Sequence, residues 1–161
     1  MDVYEFALKM ELDGKTYYEK LAVETTIEGF NAIFSRLAAD EQKHYDTVKA
    51  LRDGSVMPMA ETTVLDDAKN VFQKVMGNEQ LLGRLKGDLD AYEHAKDLEA
   101  ESVRLYEGMA VKEQNPEVVI LLKKLVEEEK KHYNIMENLY DFVLRPKYYL
   151  EWREFSNLGQ L

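Results

Sequence analysis

Along most of this chain apolar residues recur at steps of three and four, the spacing of one face of an α-helix rather than the alternation of a strand. Val3, Phe6, Ala7, Met10, Gly14, Tyr17, Tyr18, Leu21 and Ala22 form a first stripe. A second takes in Phe30, Ile33, Phe34, Leu37, Ala38, Tyr45, Val48 and Leu51, with Gly29 as the break before it. A third holds Tyr92, Ala95, Leu98, Leu105, Tyr106, Met109 and Ala110, and the turn at Asn115-Pro116 closes it. The fourth runs through Val118, Leu121, Leu122, Leu125, Val126, Tyr133, Met136, Leu139, Tyr140 and Val143 until Pro146 stops it. Four long amphipathic helices are expected.

Between the second and third stripes, residues from about 53 to 88 make a longer connection that opens as loop at Asp53-Gly54-Ser55 and Pro58. Within it, Val64, Leu65, Ala68, Val71, Phe72, Val75 and Met76 predict a short amphipathic helix, with Thr63 and Asp66 as its cap pair and Gly77 near its end. Two antiparallel helix pairs joined by one long crossover is the connectivity of a ferritin-like four-helix bundle, an all-α fold. Residues 1–161 read as one such domain, with half-repeats over about 1–52 and 89–145, the crossover over about 53–88 and a C-terminal aromatic tail over 146–161. In that tail Tyr148, Tyr149, Trp152 and Phe155 recur at helix-like spacing, for packing on the bundle or for contact with another chain.

The stripes have polar interruptions, and these carry the chemistry. Glu11 falls four residues after Ala7 and seven before Tyr18, so it points with them toward the core. Glu41 and His44 fill the gap between Ala38 and Tyr45, Glu99 interrupts the third stripe, and Glu129 with His132 interrupts the fourth. Burying unpaired carboxylates costs several kcal/mol per ion, and two divalent cations would balance four of them. An internal repeat strengthens the pattern: Glu11 and Glu99, Glu41 and Glu129, and His44 and His132 are each separated by 88 positions. Ala7, Tyr18, Ala22, Leu37, Tyr45 and Leu51 find the same residue type at that offset. The repeat also selects Glu129 from the run Glu127-Glu128-Glu129, because only Glu129 lies three residues before His132. Oxygen-rich sites with one imidazole per metal suit iron, with manganese as the alternative, and bridging carboxylates hold two ions close enough to act on one small molecule. Tyr18 and Tyr106, one heptad beyond Glu11 and Glu99, are placed to hydrogen-bond a ligand carboxylate or to pack in the core. Tyr45 and Tyr133 read as packing residues and His94 as a surface residue.

Composition narrows the setting. The absence of cysteine excludes disulfides, thiol catalysis and cysteine-ligated metal centres, and agrees with a reducing cytoplasm. The opening residues lack the order of a signal peptide, and no apolar run reaches membrane-spanning length. A net charge of -10 with no basic stripe disfavours nucleic acid. The seven methionines are scattered and read as packing material. A cytoplasmic protein without membrane or nucleic-acid partners is expected.

On these residues the chain resembles the rubrerythrin-like branch of the ferritin-like di-iron proteins. The resemblance rests on Glu11 with Tyr18, Asp40-Glu41-Gln42-Lys43-His44, Glu99 with Tyr106, and Glu129-Lys130-Lys131-His132. It implies two iron ions, with Glu11 and Glu99 as terminal ligands, Glu41 and Glu129 as bridges, and His44 and His132 as one imidazole for each. It also implies an oxidoreductase, a peroxidase acting on hydrogen peroxide or dioxygen in oxidative stress. The chain lacks the cysteines of a rubredoxin domain, so electrons are expected from an external donor protein. Rubrerythrins proper bring a further glutamate from the third helix, but here Lys96 and Ser102 stand one turn from Glu99, and Glu101 lies about 200° around the helix. A homodimer is expected. Ferroxidase or iron handling, and a metal-free helical module that binds another protein, remain as alternatives.

Overall fold

The computed structural model describes residues 2–75, 78, 80, 83–84 and 87–144. Five helices are delimited among the described residues, with no strand: α1 (Val3–Glu24), α2 (Phe30–Arg52), α3 (Val64–Val75), α4 (Leu89–Lys112) and α5 (Pro116–Leu144). The four long stripes and the crossover helix therefore all form, and the fold is the expected all-α ferritin-like bundle. Met76 of the crossover stripe, the expected end signals Gly77 and Pro146, and the aromatic tail lie outside the described residues. No helix among the described residues is long and apolar enough to cross a membrane.

Local sequence explains where the helices begin and end. The Asp2 carboxylate accepts a hydrogen bond from the Glu5 amide at 2.8 Å and caps α1. Gly29 precedes α2 with φ +93°, where any side chain would be strained and a Cβ would stand 3.0 Å from Val71 of α3. At the far end of α2, Gly54 takes φ +89°, its amide bonds the Leu51 carbonyl at 3.1 Å, and the Ser55 amide bonds the Ala50 carbonyl at 2.8 Å. These are the two bonds of a Schellman cap. Pro116 opens α5 directly after Asn115, whose side-chain oxygen accepts from the Glu117 amide at 3.0 Å. The start of α3 differs from expectation. The Thr62 hydroxyl accepts from the Val64 amide at 3.2 Å, while Thr63 pairs with Asp67 at 3.3 Å rather than with Asp66. With the first turn beginning at Val64, the residue four positions on from Thr63 comes within its reach.

The buried apolar residues divide into two clusters. One gathers Tyr18, Leu21, Phe30, Phe34, Leu37, Phe72, Tyr92, Leu139 and Phe142. The other gathers Ala7, Val48, Leu51, Tyr106, Leu121, Leu122 and Leu125. Because α1 gives Ala7 to one cluster and Tyr18 to the other, while α2 gives Val48 and Phe34 in the reverse sequence order, the two helices run antiparallel. The stripes needed some correction: Val3 and Phe6 are 44% and 47% exposed, whereas Leu8, Ile135 and Phe142 join the core. Phe6 is spared from the core because it lines a cavity between α1 and α4.

The crossover is part of the core. The Phe72 ring of α3 meets Phe30 edge-on at 5.8 Å and stacks on Phe142 at 6.3 Å. Phe72→Ala is expected to destabilise the protein by about 3–5 kcal/mol in denaturant unfolding, as truncation of a buried aromatic does.

Candidate metal centre

Between the two apolar clusters lies a layer of ionisable side chains. Glu11 from α1, Glu41 and His44 from α2, Glu99 from α4, and Glu129 and His132 from α5 are all buried, none more than 3% exposed. The structure thus brings together all six residues singled out by the spacing. Both imidazoles turn Nδ1 inward. His44 Nδ1 stands 2.6 Å from Glu129 Oε1 and 3.6 Å from Glu11 Oε2. His132 Nδ1 stands 2.8 Å from Glu41 Oε1 and 3.3 Å from Glu99 Oε1. Each contact has its counterpart 88 positions away, so the duplicated sequence has become a pseudo-twofold site.

The tyrosines complete this symmetry in a way the spacing alone does not show. Each lies one heptad beyond a glutamate of its own helix but serves the glutamate of the other. The Tyr18 hydroxyl donates to Glu99 Oε1 at 2.7 Å, and the Tyr106 hydroxyl donates to Glu11 Oε1 at 2.5 Å. Burial first, and then the surrounding carboxylate charges, push both phenols well above their usual pKa, so they act as donors. Tyr133 and Tyr45 are partly buried, and His94 is exposed, as expected.

Two further acids, not singled out by the spacing, orient the histidines from outside. His44 Nε2 meets Glu128 Oε1 at 2.8 Å, and His132 Nε2 meets Asp40 Oδ2 at 2.9 Å. Asp40 and Glu128 are themselves 88 positions apart, each directly before an inward glutamate. The crossover joins the two: the Thr62 amide donates to Glu128 Oε2 at 2.8 Å, and its hydroxyl donates to Asp40 Oδ2. Lys43 Nζ adds a contact to Glu128 Oε1 at 2.8 Å. The signal that could have found these acids was the same offset of 88, applied to acidic rather than identical residues.

The electrostatics follow from crowding four carboxylates in a dry layer. Burial, and then the charges of the neighbouring glutamates, raise Glu41 and Glu129 well above the usual carboxylate range. Glu11 and Glu99 feel the same burial, but the facing His44 and His132 charges together with hydrogen bonds from the histidines, neighbouring glutamates and tyrosines outweigh it, lowering Glu11 and bringing Glu99 to about 2. Burial would lower the histidines, but the carboxylates around them win and raise both well above 6.5. Asp40, partly buried, is held at about 2 because hydrogen bonds and charge from His132 exceed its desolvation.

Chemically, the layer suits cations. Among the described residues, six buried side-chain polar atoms lack a hydrogen-bond partner, and five of them are here: Glu11 Oε2, His44 Nδ1, Glu99 Oε2 and both oxygens of Glu129. His44 Nδ1 and Glu129 Oε1 are 2.6 Å apart without making a hydrogen bond, so once Nδ1 has given up its proton both atoms have a lone pair for another partner. Glu11, Glu41, His44 and Glu129 can each offer one donor atom within 4.8 Å of the rest, and so can Glu41, Glu99, Glu129 and His132. A model of the rubrerythrin family matches residues 2–140. The chain belongs to the rubrerythrin family. No curated protein and no solved structure matches it. Family and donor set together support a di-iron carboxylate protein. Lys96 and Ser102 stand one turn from Glu99, and the Ser102 hydroxyl donates to the Leu98 carbonyl of its own helix at 3.2 Å.

The shifted groups set a pH dependence. Glu41 and Glu129, raised above 4.5, contribute stability that is lost as pH rises toward their folded values. His44 and His132 contribute stability that is full below 6.5 and lost as pH rises through their folded values. Both effects have the same sign above neutrality. Metal-free protein is therefore expected to melt at a lower temperature near pH 8 than near pH 6, as thermal unfolding by circular dichroism would read.

Proposed function

We propose that this protein is a di-iron oxidoreductase that reduces hydrogen peroxide with electrons from an external donor protein. The observation that carries the reading is that the two donor sets share Glu41 and Glu129 and differ in the rest. Two ions held this way would have Glu41 and Glu129 as bridges, with Glu11 and His44 completing one coordination set and Glu99 and His132 the other. When bound, two ferrous ions supply the two electrons that, with two protons, convert one peroxide into two waters, and an external donor restores them from the ferric state.

The chain's own residues hold that chemistry in place. Asp40 and Glu128 grip the outer nitrogens of the histidines and fix which nitrogen faces inward. Tyr18 and Tyr106 each occupy Oε1 of a terminal glutamate, leaving its Oε2 unpartnered. The deep burial of these side chains strengthens each of these contacts.

Protein purified without added metal should carry about two equivalents of iron per chain, and a Glu41→Ala, Glu129→Ala double variant should lose both. Two equivalents of manganese would overturn the iron assignment. Anaerobically reduced protein should be oxidised by stoichiometric peroxide much faster than by air; equal or faster reaction with dioxygen would count against peroxide. Mineral growth in a cage-sized assembly under excess ferrous iron would instead favour iron handling.

The orienting acids give a separate test. Asp40→Asn combined with Glu128→Gln is expected to weaken metal affinity by about 10–100-fold, as loss of outer contacts to a ligating histidine does, with helical content unchanged. Competition with a chelator measures it.

A further inference from the structure

One side of the buried layer is closed and the other is open. On the α2–α5 side, Thr62 ties Asp40 to Glu128, and Lys43 bridges Glu128 and the Ala60 carbonyl, the latter at 2.6 Å. A molecule entering there would have to part those contacts. On the α1–α4 side lies a cavity of about 190 Å³ whose walls include Met10, Gly14, Tyr18, Glu41, Glu99 and Ser102. It runs from solvent, where Lys9 and Asp13 form an exposed ion pair at 3.1 Å, to two glutamates of the layer.

Two of its walls are small for different reasons. Gly14 sits inside α1 at negative φ, so no turn requires glycine there, and an interior helical glycine costs about 1 kcal/mol relative to alanine. What it provides is space: a Cβ would stand 3.0 Å from Glu41 Oε2. Ser102, 88 positions on, is short and directs its hydroxyl to its own helix. At the inner end Glu99 Oε2 is buried with no hydrogen-bond partner, an acceptor left free in the wall of a solvent-connected cavity.

We propose that this α1–α4 seam is the entry and binding pocket for the small oxidant, with Gly14 and Ser102 setting what it admits. The assignment rests on the di-metal reading above. The cavity is smaller than the roughly 300–1,000 Å³ of pockets for drug-sized ligands, so the class it fits is a small molecule such as a peroxide, dioxygen or a linear anion.

The test uses azide as the probe, read by the absorption of its complex with the oxidised, iron-loaded chain. Ser102→Leu fills the pocket from α4, and Gly14→Ala narrows it from α1. Both are expected to keep wild-type metal content and to bind azide about tenfold or more weakly. Ile120→Trp, on the exposed outer face of α5, is the control and should leave azide affinity unchanged. Wild-type azide affinity in both seam variants would overturn the proposal, as would loss of metal from both, which would make the seam a support of the site rather than its entrance. If the wild type holds two metals and binds azide in the seam-dependent way but is not oxidised by peroxide, the peroxide reading fails and the seam stands.

Discussion

The rest of the structure depends on one constraint: six ionisable side chains are buried in a layer between two apolar clusters, where water cannot solvate them. Their charges must be settled among themselves. The directions in which they titrate show how. Burial pushes Glu41 and Glu129 toward the protonated form, while His44 and His132, themselves raised by the carboxylates, help hold Glu11 and Glu99 toward the ionised one. In that arrangement two negative and two positive groups of the six face each other, with Asp40 and Glu128 beyond the histidines. A pair of divalent cations achieves the same balance by displacing those protons, which makes metal binding and proton release one process.

Glu11 faces His44 and Glu99 faces His132 within each half, but the closer contacts run between the halves. Tyr18 of the first half holds Glu99 of the second, and Tyr106 holds Glu11. Asp40 orients His132, and Glu128 orients His44. Inside the layer, His132 faces Glu41 and His44 faces Glu129. Neither helix pair satisfies all of its own buried groups, so the polar layer helps fix the register of one pair against the other. The cost of a slip would be an unpaired buried charge, larger than the cost of a displaced methyl group.

Much of this was legible in the chain because duplication writes the same signal twice. The helical stripes located the long helices, and the offset of 88 separated Glu129 from its acidic neighbours. The outer acids were harder to see. Glu128 lies about 100° around the helix from Glu129, which on an isolated helix is a solvent-facing position. It is buried because the crossover, through Thr62, covers that face. Loop residues carry no periodicity, so Thr62 left no trace in the pattern. The tyrosine partners were hidden for a related reason: heptad spacing relates residues on one helix, while a long side chain in a bundle core can reach the next. Gly14 passed as a spacer in an apolar stripe, and only the nearness of Glu41 shows what its missing side chain leaves room for.

The crossover also explains why a nearly symmetric site has unlike sides. Duplication maps each flank onto itself, with Asp40 and Glu128 as mates on one and Gly14 and Ser102 as mates on the other, so nothing in the repeat makes the two flanks alike. The connection between the halves occurs once, so it can cover only one of them. It does so at Asp40 and Glu128, symmetry mates that a single residue, Thr62, touches together. The opposite flank keeps only what α1 and α4 present, and there Gly14 and Ser102 present little. A repeated sequence thus supplies equivalent donors, and the unrepeated segment gives the site a closed back and an open front.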